Sequence, residues 1–174
     1  AITHSKKPIY HNIWLGKPPH EHLFINAISY GIQAYHDLRV RYPAVKAAYA
    51  PPSGVSIKLV IQIDERMNTP GMVKNLLAAS LWTRGAMWKE VIVVDDDIDI
   101  TNNDEIDWAV VTRVQPGRDI FILPGGQGSR LDPSSDVNGV TDKIFIDATK
   151  NSGFRGKVAE PTQAMMKKIE SRWK

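Results

Sequence analysis

The sequence contains no cysteine. That excludes disulfides, thiolate metal sites and a cysteine nucleophile, and it suits a reducing cytoplasm. Long apolar runs are also missing: the longest purely aliphatic stretch is Val91-Ile92-Val93-Val94, far short of a bilayer span. No secretory signal is visible, so the expectation is a cytoplasmic protein without membrane contact. Charge of one sign is scarce. The net charge is +3 from 22 basic and 19 acidic residues, and the signs alternate along most of the chain. No Lys/Arg block is dense enough to track a nucleic-acid backbone, so no nucleic-acid partner is expected. There is no Gly-x-Ser-x-Gly elbow, no nucleotide-hydrolase phosphate loop and no dinucleotide fingerprint. Gly125-Gly126-Gln127-Gly128 lacks the flanking strand and helix that a dinucleotide turn requires.

What remains is a globular chain of 174 residues, 43% hydrophobic and 24% charged, expected as a single domain over 1–174. Residues 7–15 have β-prone, partly alternating character, and Gly16-Lys17-Pro18-Pro19 breaks the chain. Apolar residues at Leu23, Ala27, Ile28, Ala34, Tyr35 and Leu38 predict an amphipathic helix from about 19 to 41, stopped by Pro43. Strands are predicted over 55–63, 89–94, 119–123 and 143–147, and helices over 70–84, 104–113 and 161–173. Residues 124–142, rich in Gly, Ser, Asp and Pro, read as a long surface loop. Alternating strands and helices give an α/β class, a layered domain with a mixed or mostly parallel sheet flanked by helices, plus a carboxyl-terminal helix.

Two places could carry chemistry. In Asn68-Thr69-Pro70-Gly71-Met72-Val73-Lys74, Thr69 can cap a helix and Pro70 suits its first turn. Lys74 then stands where the positive end of the helix repels a cation, unless an anion lies between them; free amides at a helix start and Gly71 would suit a phosphate. The alternative is a merely solvated lysine. The second place is Val94-Asp95-Asp96-Asp97-Ile98-Asp99. Carboxylates at the end of an aliphatic strand can hold a divalent metal, and Asp95-Asp97 would suit a metal-dependent nucleotide-sugar transferase. The alternative is a capped strand end whose carboxylates pair with Arg113 or Arg118. No histidine completes a metal shell: His20 and His22 point apart on a helix, and His11 in a strand is more often packed than ligating.

Several stretches together resemble the carboxyl-terminal part of the UbiD-type decarboxylases: Pro8-Ile9-Tyr10-His11-Asn12-Ile13-Trp14-Leu15-Gly16-Lys17-Pro18-Pro19-His20-Glu21-His22, Val91 to Ile100, Trp108 to Asp119, Leu131-Asp132-Pro133-Ser134-Ser135 and Ile146-Asp147-Ala148-Thr149-Lys150. The resemblance implies reversible decarboxylation of an aromatic or α,β-unsaturated acid, with prenylated FMN as cofactor. It implies that Lys74 approaches the cofactor phosphate, that Ala78 one turn on faces the cofactor–substrate region, and that the strand carrying Phe121 and Leu123 lines the substrate pocket. For that strand pair, plain core packing is the alternative. The triple aspartate belongs to the family's structural pattern. The family's glutamate–arginine–glutamate set and its divalent metal and potassium ligands lie on an upstream flavin-binding domain, and nothing here matches it. No catalytic role is therefore assigned to Glu21, Glu65, Glu90 or Glu105, and no metal ligand is assigned. The expected partner is a flavin-binding catalytic domain or subunit, in a homo- or hetero-oligomer, with this chain inactive alone. Because it begins at Ala1, it is expected to be a small subunit or a fragment. Met165, Met166, Ile169 and Trp173 mark the terminal helix as a subunit-packing element or as one packed on its own domain. A non-catalytic assembly module is the alternative function.

Overall fold

The computed structural model describes residues 3–9, 17–18, 20–151, 154–156 and 161–173. The β-prone stretch at 7–15 and His11 therefore lie largely outside the described residues. The elements run α1 (Glu21–Arg39), β1 (Val45–Tyr49), β2 (Lys58–Ile63), α2 (Met72–Ser80), β3 (Glu90–Asp95), α3 (Asn103–Arg113), a one-turn α4 (Pro116–Asp119), β4 (Ile120–Gln127), β5 (Val140–Asp147) and α5 (Gln163–Arg172). Five strands form one mixed sheet in the order β1-β2-β3-β5-β4. Its centre, β2-β3-β5, is parallel, and both outer strands run antiparallel to their neighbours.

The centre of the sheet is aliphatic because helices cover both of its faces. Along β3, Val91 and Val93 join Leu59, Ile61 and Phe145 under α1 and α2, which contribute Ala34, Leu38, Val73, Leu76 and Leu77. The alternate residues Ile92 and Val94 join Val60 and Ile146 against Ile106 and Ala109 of α3. Each fully buried Leu or Ile in these layers contributes roughly 1.5–3 kcal/mol of transfer free energy. Trp88, fully buried just before β3, donates its indole N–H to Thr83 Oγ1 at 2.6 Å. Asn102 caps α3 through the Asp104 amide (3.0 Å), and Glu105 reaches back to the Asp99 amide (2.8 Å), so the turn after β3 and the helix hold each other.

Several expectations change. Val45–Tyr49 is a strand that the sequence did not announce, and β2 begins only at Lys58 because Val55 and Ser56 take left-handed backbone angles. The predicted helix over 70–84 divides into α2 and a separate 3₁₀ turn at Thr83–Ala86. Pro124-Gly125-Gly126 does not end β4: the strand continues to Gln127 across an irregularity between Leu123 and Gly126. Proline fits there because β4 hydrogen-bonds to one neighbour only among the described residues. The expected loop over 124–142 thus shrinks to 128–139. His20 precedes α1 in an extended conformation, so its ring lies 6.0 Å from that of His22 and nearly parallel to it rather than pointing away.

Two helices present apolar surface. On α1, Phe24, Ile25, Ile28 and Ile32 form an exposed stripe opposite the buried Leu23, Ala27, Ala34 and Leu38. On α5, Met165, Met166 and Ile169 are exposed, with Trp173 just beyond, and none of its residues is buried; it does not pack on the sheet. No helix among the described residues is long and apolar enough to cross a membrane.

Candidate anion site at the carboxyl edge of the sheet

Parallel strands end on the same edge, and in an open α/β sheet that edge is where ligands bind. Here β2, β3 and β5 deliver Glu65, Asp95–Asp97 and Asp147–Lys150 to one rim. Asp64 closes the turn after β2 by accepting the Arg66 amide at 2.9 Å. The chain then reaches α2 through Gly71, whose φ of +82° is left-handed and favours glycine. This corrects the expected cap: Thr69 supplies its carbonyl to the Met72 amide (3.0 Å), and no side chain caps the helix. Lys74 falls in the first turn. The amides of Val73 and Lys74 have no hydrogen-bond partner among the described residues, and a Cβ on Gly71 would meet nothing within 4 Å. Two open donors, bare backbone and a cation within one turn are the chemistry of an anion cradle.

A pocket of about 390 Å³ lies there, lined by Glu65, Asn68, Thr69, Pro70, Gly71, Val73, Lys74, Asp147, Thr149, Lys150 and Asn151. Lys74 makes no ion pair among the described residues. Asp147 accepts the Thr149 amide (3.1 Å) and hydroxyl (2.6 Å). Burial pushes the Asp147 carboxyl up from its ordinary value, with Thr149 and Lys74 pulling the other way.

Behind the pocket lies an ion-pair network. Arg113, fully buried in its side chain, bonds Asp97 through both terminal nitrogens (3.0 and 2.9 Å) and reaches Asp95 at 3.3 Å. The Lys150 ammonium bridges Glu65 (2.8 Å) and Asp97 (3.0 Å), and its amide donates to Asp95 at 2.6 Å. Burial raises the Asp95 carboxyl to about 6 against the pull of the Lys150 amide and Arg113. Burial also opposes the charge on Asp97, but hydrogen bonds from Arg113 and Lys150 outweigh it and hold that carboxyl below its usual range. The metal reading of Asp95 and Asp97 is therefore corrected. Both Asp97 oxygens and Asp95 Oδ2 face cations, and no group of three ligating side chains exists among the described residues. Of the two arginines proposed as their partners, Arg113 takes the role, while Arg118 pairs with Asp119 at 2.6 Å.

The structure puts Lys74 in the pocket and leaves Ala78, Phe121 and Leu123 outside its lining. Ala78 is exposed one turn along α2. Phe121 stacks on Phe145 with centroids 4.6 Å apart and packs in the core layer that α2 covers, while Leu123, two residues on, is exposed. Sequence reasoning missed Glu65, Asn68, Thr149 and Lys150. The available signal was Asp147-x-Thr149 directly after a strand, a pattern that turns the chain back on its own carboxylate.

A family profile described as the 3-octaprenyl-4-hydroxybenzoate carboxy-lyase C-terminal domain matches residues 23–148. An uncharacterised protein of Archaeoglobus fulgidus is 32% identical across 99% of this chain, which spans 37% of that protein. The closed form of vanillic acid decarboxylase (ShVdcCD) from Sedimentibacter hydroxybenzoicus superposes with a TM-score of 0.82 at 31% identity, over 99% of this chain and 38% of its own. The UbiD-class enzyme HmfF from Pelotomaculum thermopropionicum, in complex with FMN, superposes with a TM-score of 0.75 at 35% identity, over 86% of this chain and 34% of its own. The chain thus spans little more than a third of the relatives it matches. With the profile covering well over half of the chain and solved UbiD-class relatives sharing its fold, it belongs to the UbiD carboxy-lyase family and corresponds to that family's carboxyl-terminal domain.

Proposed function

We propose that this chain is the closing part of a prenylated-flavin-dependent carboxy-lyase acting reversibly on an aromatic or α,β-unsaturated acid. The observation that carries this reading is the Lys74 ammonium, free of ion pairs among the described residues, beside two open amides at the start of α2. These groups fit the phosphate of prenylated FMN. A second polypeptide or upstream domain would hold the ring, the proton-donating glutamic acid, the divalent metal and potassium. The lengths of the relatives support this, as does FMN in one HmfF structure and prenylated FMN in another. When bound, the cofactor supplies the electron sink for loss of carbon dioxide. Lys74 and the α2 amides anchor the phosphate and so fix where the substrate can stand. Ala78 and Leu123, with Phe121 behind them, would form the apolar wall against which a planar acid rests.

A second reading, a non-catalytic assembly module in a homo- or hetero-oligomer, draws on the exposed stripe of α1 and the unburied α5. One experiment separates the two. In the assembled enzyme, Lys74→Met should lower flavin retention after gel filtration by about tenfold in affinity, the scale of one charge-assisted hydrogen bond. An unchanged flavin-to-protein ratio refutes the phosphate contact and leaves the assembly role.

A further inference from the structure

The pocket has two walls from separate parts of the sequence. Residues 65–74 follow β2, and residues 147–151 run on from the end of β5. Two side-chain contacts join these walls among the described residues. Asn68 donates to Thr149 Oγ1 at 3.5 Å, the outer limit of a hydrogen bond, and Lys150 Nζ meets Glu65 Oε2 at 2.8 Å. Lys150 is thus the pocket's second cation, but its charge is already engaged. Its two carboxylate partners are unlike. Asp97 is also gripped by both terminal nitrogens of Arg113. The Glu65 side chain is 47% exposed, and its carboxylate is bonded by Lys150 alone among the described residues.

We propose that Glu65 is a resident substitute for an anionic ligand: it engages the Lys150 ammonium and is displaced when a phosphoryl group enters the pocket. This rests on the phosphate reading above and adds its regulation. A phosphoryl group carries up to about two negative charges against one on Glu65. It also gains Lys74 and the Val73 and Lys74 amides, which Glu65 leaves unbonded. Lys150 stays anchored on Asp97 at 3.0 Å and needs only to exchange one partner. The exchange sets a threshold: a weakly held anion that cannot use both lysines does not displace the carboxylate.

The test titrates the 174-residue chain separately with inorganic phosphate and with FMN, following the amide resonances of Gly71, Lys74, Thr149 and Lys150. Glu65→Gln should bind both probes about two- to fivefold more tightly than wild type, the scale of one exposed ion pair removed from competition. Lys150→Met and Lys74→Met should each bind them more weakly. A purely structural clasp predicts weaker or unchanged binding for Glu65→Gln, and either result overturns the proposal. If Lys74→Met weakens binding while Glu65→Gln does not tighten it, the exchange is wrong and the phosphate site stands. If wild type binds neither probe, the site reading fails and takes the exchange with it. A gain with phosphate but not with FMN overturns the exchange for the cofactor. Because Glu65 is half exposed, the variant should keep the wild-type melting temperature, which checks that the fold is intact.

Discussion

Replacing Arg113 with methionine tests the account of the rim most severely. The methionine fills most of the arginine's volume, so the substitution removes charge more than packing. Asp97 keeps the Lys150 ammonium at 3.0 Å. Asp95, whose side chain is fully buried, keeps only the Lys150 amide, and its Oδ1 already has no partner. Leaving a buried carboxylate without its cation costs about 3–5 kcal/mol. For a chain of this size that corresponds to a fall in Tm of roughly 6–20 °C. The sign with pH follows from Asp95. Its folded-state carboxyl sits at about 6 against an ordinary value of 3.8, so between those values the folded chain binds more protons than the unfolded one. Its contribution is therefore most favourable below about 4 and is lost as pH rises through 6, a swing of about 3 kcal/mol. Without Arg113 the carboxyl moves higher still. The deficit of the variant should then shrink as pH falls toward 4 and widen toward 7. Urea unfolding at pH 4.5 and 7.5 reads this directly, and Asp95→Asn in the same background should restore much of the loss. A deficit under about 1 kcal/mol at pH 7.5, or one that does not change with pH, refutes the reasoning.

Gly31→Ala should destabilise the chain by about 1–3 kcal/mol in chemical denaturation, because its Cβ would lie 2.6 Å from the backbone oxygen of Ala48, where α1 presses on β1. Phe121→Ala should cost roughly 2 kcal/mol through loss of the stack on Phe145, whereas Leu123→Ala should leave stability within about 0.5 kcal/mol and, in the assembled enzyme, raise KM. Equal stability losses at 121 and 123 would contradict this division of labour.

The parallel centre of the sheet was legible because its strands are aliphatic on both faces, and α1 because its apolar spacing is regular. The edge strand β1 was not: Val45-Lys46-Ala47-Ala48-Tyr49 has little β-branched character, and its pairing with β2 decides its conformation. The end of β4 was misjudged because Pro-Gly-Gly normally stops a strand, and only the sheet order reveals that no second neighbour among the described residues needs the missing N–H. At the site, Lys74 could be picked out because its charge conflicts with its local position. Lys150 could not, since the conflict it resolves, with Glu65 on one strand end and Asp97 on another, exists only after the sheet has formed. The aspartate triplet carried no such conflict and invited two readings until Arg113 was seen beneath it.

The Glu65–Lys150 contact joins residues 85 positions apart. No portion of the polypeptide that stops short of β5 holds both walls of the pocket, and closing so long a loop slows folding. The pocket therefore gains its second wall only once β5 has docked beside β3, so any contact that spans it reports a completed parallel sheet.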